Sequence, residues 1–181
     1  RTQELLFTLR ALEQAGAIPS LPVFVDSPMA VDATPIFLAH REEHDAEMAR
    51  MLAAGREPLR PANLTFARSP EQSKAINDVR GPCIVLSASG MATGGRVLHH
   101  LKRRLPDPRT TVLLVGFQPP GTRGWSLQNG AASLRIHGED VPVKARVASI
   151  TGFSAHADEA EISRWLATFP APPARTFLVH G

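Results

Sequence analysis

Short apolar runs alternate with stretches of helical periodicity along the whole of this 181-residue chain. Leu21 to Val25, Leu64 to Ala67, Cys83 to Leu86 and Thr111 to Val115 are four or five residues each, too short for buried helices. Continuous apolar runs of that length suit strands covered on both faces. Between them lie helical patterns. Leu5, Leu6, Leu9 and Leu12 predict a helix from Thr2 to about Ala15, with Gly16 as its stop. Strands and helices that alternate this way predict an α/β fold, a mostly parallel sheet covered by helices on both faces.

The remaining elements follow from local signals. Pro35 suggests a helix starting near Thr34, with proline in its first turn. A second pattern runs from about Glu43 to Leu52 and stops at Gly55. Ser69-Pro70-Glu71-Gln72 has the form of a capping box. Another helix is expected from about Gly95 to Leu105. Residues from about Ser133 to Ile150 alternate around Gly138-Glu139-Asp140, which reads as a hairpin. A helix over Asp158 to Thr168, a proline-rich turn and a final strand close the chain.

Composition narrows the function classes. A hydrophobic fraction of 43% is ample for a packed core, and a formal charge of +3 tolerates a polyanionic partner without demonstrating one. No run reaches the ~18 apolar residues of a membrane span, so no membrane partner is expected. Cys83 is the single cysteine, so no intrachain disulfide can form; it reads as a small buried hydrophobe in a reducing cytoplasm. The chain opens without Met, directly in a helical pattern, and reads as part of something longer.

Polar and glycine-rich segments cluster at the carboxyl ends of the predicted strands, the edge where open α/β sheets bind ligands. Ser87-Ala88-Ser89-Gly90-Met91-Ala92-Thr93-Gly94-Gly95-Arg96 bridges a strand and a helix. Its glycines free the backbone for a tight turn near a helix N-terminus, where N–H groups favour anions. Ser87, Ser89 and Thr93 add hydroxyls, and Arg96 adds a guanidinium suited to phosphate. The loop is neither a P-loop nor a dinucleotide fingerprint, and it also suits a turn that only packs helix on sheet. His156, in Thr151-Gly152-Phe153-Ser154-Ala155-His156-Ala157-Asp158, and His180, in Leu178-Val179-His180-Gly181, follow the ends of two strands and would face one crevice. Two histidines alone make a poor zinc site, which normally takes three protein ligands.

These segments come in a recognisable order. Arg1-Thr2-Gln3-Glu4, Asp26-Ser27-Pro28-Met29-Ala30, Ser87-Ala88-Ser89-Gly90-Met91, Gly94-Gly95-Arg96-Val97-Leu98-His99-His100-Leu101, Gly152 to Asp158 and Leu178 to Gly181 span essentially the whole chain. Together they resemble the β-CASP family of metallo-β-lactamase-fold ribonucleases. The resemblance implies that residues 1 to about 150 form a β-CASP domain, and that 151–181 form a C-terminal β-α-β piece of a metallo-β-lactamase domain. It implies a catalytic, proton-transferring role for His156 and a metal-ligand role for His180. It implies RNA or phosphate contacts along Ser87, Ser89, Gly90, Thr93, Gly95, Arg96 and Ser154.

The family's main zinc motif, His-x-His-x-Asp-His, has no counterpart here. The expectation is therefore a C-terminal fragment of a zinc ribonuclease, inactive by itself. Two zinc ions would be bound in the full-length protein and not held by this fragment. RNA and the N-terminal metallo-β-lactamase half of the same protein are the expected partners, and a homo-oligomer stays open. Two alternatives share the same features: a noncatalytic RNA-binding scaffold, and an α/β domain that binds a nucleotide or sugar phosphate.

Overall fold

Leu6, fully buried, is the inward anchor of the first helix, α1 (Thr2–Gln14). The computed structural model of the chain describes residues 1–153 and 157–177. The central strand of the first sheet is β1 (Pro22–Asp26), with β2 (Asn63–Phe66) and β3 (Ile84–Ser87) parallel to it on either side. Register pairs Val23 with Leu64 and Ile84, and Asp26 with Ser87. Val23 and Val25 point to one face, two residues apart, and meet Leu6, Val31, Met48 and Leu59.

The helices α2 (Pro28–Ala39), α3 (Ala46–Ala53) and α4 (Pro70–Ala75) fill the connections. α4 carries the expected capping box, with Ser69 and Gln72 bonding each other's backbone N–H. α2 starts earlier than Thr34. Ser27 Oγ accepts from Ala30 N and Pro28 takes the first helical position, so Pro35 falls inside the helix. Ser27-Pro28 is thus the start signal, and Pro35 only removes one interior donor. Cys83 precedes β3 and is half-buried rather than enclosed.

A second core lies under α5 (Val97–Arg104), β4 (Thr111–Val115) and α6 (Arg123–Gln128). The hairpin β5 (Ser133–Ile136) and β6 (Glu139–Pro142) closes it with Leu134, Ile136 and Val141. Leu105, Leu127 and Ile136 are fully buried there, each contributing about 1.5–3 kcal/mol of burial.

The hairpin expected over 133–150 is shorter than its alternation suggested. It ends at Pro142, and β7 (Arg146–Ile150) instead pairs parallel with β4, from Thr111 opposite Arg146 to Val115 opposite Ile150. Alternation marks a half-exposed strand but not its partner. The parallel strands thus form two sheets, β2-β1-β3 and β4-β7, among the described residues.

The last described helix is α7 (Glu159–Leu166), started by a capping box between Asp158 and Glu161. Ile162, Trp165, Leu166 and Phe169 are exposed on it and just beyond it. Among the described residues no helix is long and apolar enough to cross a membrane.

Candidate functional site

The loop from Ser87 to Arg96 leaves the end of β3 and runs into α5. Its base is a buried charge cluster. Asp26, the last residue of β1, is 0% exposed. Its Oδ1 accepts from Arg96 Nη1 at 2.8 Å, and its Oδ2 accepts from Ser73 Oγ and His100 Nε2, each at 2.6 Å. Arg96 also donates to the carbonyls of Ala67 and Arg68 beyond β2, at 2.9 and 2.8 Å. Ser87 Oγ donates to the Asp26 carbonyl at 3.0 Å. One guanidinium and one hydroxyl therefore knit the carboxyl ends of all three strands of the first sheet.

Helix periodicity explains how α5 serves both sides. At about 100° per residue, Arg96 and His100 lie on one face and Leu98, Leu101 and Leu105 roughly opposite. The leucines enter the second core while His100, itself buried, reaches Asp26. Burial alone would push the Asp26 carboxyl up, but hydrogen bonds from Ser73, His100 and Arg96 outweigh it and hold it below its ordinary value of 3.8.

Above that base, the loop's peptide groups are sorted by polarity. Ala88 O accepts from Val97 N, and Ser89 O from Ala92 N. Gly90 O accepts from Gln118 Nε2 at 3.1 Å, and Met91 O from Gly124 N at 3.0 Å. Arg123 Nη1 donates to Ala92 O and Thr93 O, each at 3.4 Å, and Gly94 O accepts from Ser89 N at 3.3 Å. Every carbonyl from Ala88 to Gly94 is thus tied to protein. The N–H groups of Gly90, Met91, Gly94 and Gly95 meet no acceptor among the described residues. Four unpaired N–H groups beside carbonyls held by the protein can present positive dipoles to an anion.

Glycine is required at two points of this arrangement. Gly95 has φ +82°, and a methyl group there would stand 2.8 Å from Ala88 O. At Gly124 a methyl group would fall onto Gln118 Oε1. Gln118 is 3% exposed, donates to Gly116 O as well as Gly90 O, and so pins the end of β4 against the loop.

The expected site residues divide accordingly. Gly90, Thr93 and Gly95 are exposed on the loop. Ser89 Oγ accepts from Thr93 N at 3.1 Å and closes the turn. Ser87 and Arg96 direct their polar atoms inward, toward the strand ends. Ser154, His156 and His180 lie outside the described residues. Among the described residues no three of His, Cys, Asp and Glu converge as a metal site, so none of them forms a zinc-binding set. The sequence places Asp26 and Gln118 at strand ends on the functional edge but does not show them as anchors of the loop, and it gives no signal for Arg123. The one legible hint was the four-residue spacing of Arg96 and His100 on a helix.

Comparison with known proteins fits this arrangement to a family. Residues 2–127 match the family model of the Beta-Casp domain. The chain belongs to the β-CASP family. Residues 140–181 of this β-CASP chain match the Zn-dependent metallo-hydrolase RNA specificity domain. The β4–β7 sheet joins the two matched segments, because β4 lies in the first and β7 in the second. Ribonuclease TTHA0252 of Thermus thermophilus is 39% identical over 181 residues, all of this chain and 41% of the relative. Transcription termination factor FttA of Thermococcus kodakarensis is 33% identical over 190 residues, all of this chain and 28% of the relative. The RNase J-like protein of Methanocaldococcus jannaschii is 28% identical over 181 residues, all of this chain and 40% of the relative. The β-CASP chain thus spans less than half the length of these relatives.

Proposed function

We propose that this chain is the RNA-holding part of a zinc-dependent ribonuclease that hydrolyses phosphodiester bonds in a cleft between its β-CASP and metallo-β-lactamase domains. The supporting observation is the loop of residues 88–95, whose carbonyls are tied down while the N–H groups of Gly90, Met91, Gly94 and Gly95 meet no acceptor among the described residues. RNA presents a regular series of phosphates, and such a loop recognises them without reading bases. The polarity sorting favours this over a turn that only packs helix on sheet, because packing alone does not require unpaired N–H groups.

In this proposal the loop's N–H groups and the Thr93 hydroxyl touch phosphate. Arg96 and Ser87 act one step back, fixing the loop on the ends of β1, β2 and β3. By its motif, His156 would give a proton to the leaving oxygen, an effect of about 10²–10⁴ in rate, and Ser154 would contact the RNA beside it. His180 would be one metal ligand, with the other ligands outside this chain. Zinc in such enzymes activates water and stabilises charge on phosphate. Without the remaining ligands the chain alone is inactive.

The test is made in the complete protein. His156→Ala is expected to keep its zinc by elemental analysis and to lose RNA cleavage. His180→Ala is expected to lower the zinc content. A fully active His156→Ala enzyme contradicts the proton-transfer role. For the isolated chain, RNA affinity is expected to fall steeply with salt, as phosphate contacts require. Affinity independent of salt contradicts the phosphate role of the loop.

A further inference from the structure

Large apolar side chains stand exposed around the same loop. Phe117, two residues past the end of β4, is 73% exposed, and Met91, within the loop, is 40% exposed. Trp125, at the start of α6, is also 40% exposed. These residues sit on segments already bonded together. Gln118, next to Phe117, holds the Gly90 carbonyl, and Gly124, next to Trp125, holds the Met91 carbonyl. The chain contains two tryptophans, eight phenylalanines and no tyrosine. Exposing a phenylalanine and a tryptophan on adjoining segments leaves apolar area in water that burial would otherwise remove.

We propose that Phe117, Met91 and Trp125 form a stacking platform for the bases of a single RNA strand whose phosphates lie on the 88–95 loop. The proposal rests on the phosphate role assigned to that loop above. A single strand offers phosphates on one side and flat, apolar base faces on the other. The structure places free N–H groups and exposed apolar side chains on segments bonded to one another, which suits both. Stacking accepts any base, since every base has a π-face, so the platform would add affinity without sequence preference. A folded protein partner would match the apolar side chains, but a single RNA strand brings phosphates and apolar base faces together at regular spacing.

The test compares two ligands on this chain: a short single-stranded oligoribonucleotide, and the abasic oligomer of equal length and charge. Both should bind, the base-bearing strand more tightly. Phe117→Ala and Trp125→Ala should each weaken the base-bearing strand by about 5- to 150-fold and leave the abasic strand unchanged. Phe117→Trp should restore the difference. Each variant is checked for an unchanged circular dichroism spectrum, so that any loss of binding is read on a folded chain. If wild type binds both ligands equally, or if the alanine variants weaken both equally, the platform is overturned while the phosphate role stands. If wild type binds neither, the phosphate role fails and the platform with it. If Phe117→Ala alters only the sedimentation behaviour of the chain, the side chain serves a protein contact and the proposal is wrong.

Discussion

His100 Nε2 and Asp26 Oδ2 meet at 2.6 Å, although 74 residues separate them, and this contact links the two hydrophobic cores. Asp26 ends the central strand of the first sheet, and His100 comes from the helix that packs the second core. With Arg96 and Ser73 on the same carboxylate, both oxygens of the buried Asp26 side chain are partnered. Removing one partner of a buried ion pair leaves the other uncompensated. Asp26→Ala is expected to destabilise the chain by about 3–5 kcal/mol, read as a lower urea midpoint. A loss below about 1 kcal/mol would place the cluster among weak surface pairs.

The same carboxylate predicts how stability varies with pH. Its pKa is lowered in the folded chain relative to 3.8. Its contribution is therefore complete above the unfolded value and disappears as pH falls through the lower, folded one. Urea midpoints should be flat from neutral pH down to about 5 and should drop below about 4. Asp107, held at about 2 chiefly by hydrogen bonds from exposed Arg109, adds to the same acid slope. Asp26→Asn should therefore flatten the slope only in part, and Asp107→Asn should flatten it separately. An Asp26→Asn slope identical to wild type would mean that the carboxylate gains nothing from its partners.

Gly124→Ala tests how the loop is held. The added methyl group would displace the Gln118 amide and release the Gly90 carbonyl. RNA affinity should fall, with a stability loss of about 1–3 kcal/mol from the freed buried groups. Gln118→Ala should reproduce the affinity loss, and in that background Gly124→Ala should cost less than alone, because only the Met91 carbonyl at 3.1 Å still crowds the methyl group. Additive losses would show that the two residues act separately. Gly95→Ala should cost about 1–3 kcal/mol through its positive φ alone.

What could be read from the sequence followed from local chemistry. Ser69 and Gln72 announced α4, Asp158 announced the start of α7, and the run Thr111 to Val115 gave β4. The serine–glycine loop and the Gly95–Arg96 helix start could be located before any coordinates. What escaped depends on distant partners. Asp26 accepts from residues 70 and 74 positions away, and no local pattern distinguishes it from a solvated aspartate. The pairing of β7 with β4 was hidden because alternation over 133–150 fits one long hairpin equally well. α6 has only six residues, too few to display a helical period in the sequence. The charge of Arg96 is legible in the sequence, and its three inward acceptors are not.

In the proposed function the free N–H groups of Gly90, Met91, Gly94 and Gly95 receive the phosphates of RNA. Amide chemical shifts followed during titration with a short single-stranded RNA test it most directly. The resonances of Gly90, Met91, Gly94 and Gly95 should move first and farthest, and added salt should reverse the movement. Binding that leaves those four amides unmoved, with shifts confined to other surfaces, would contradict it.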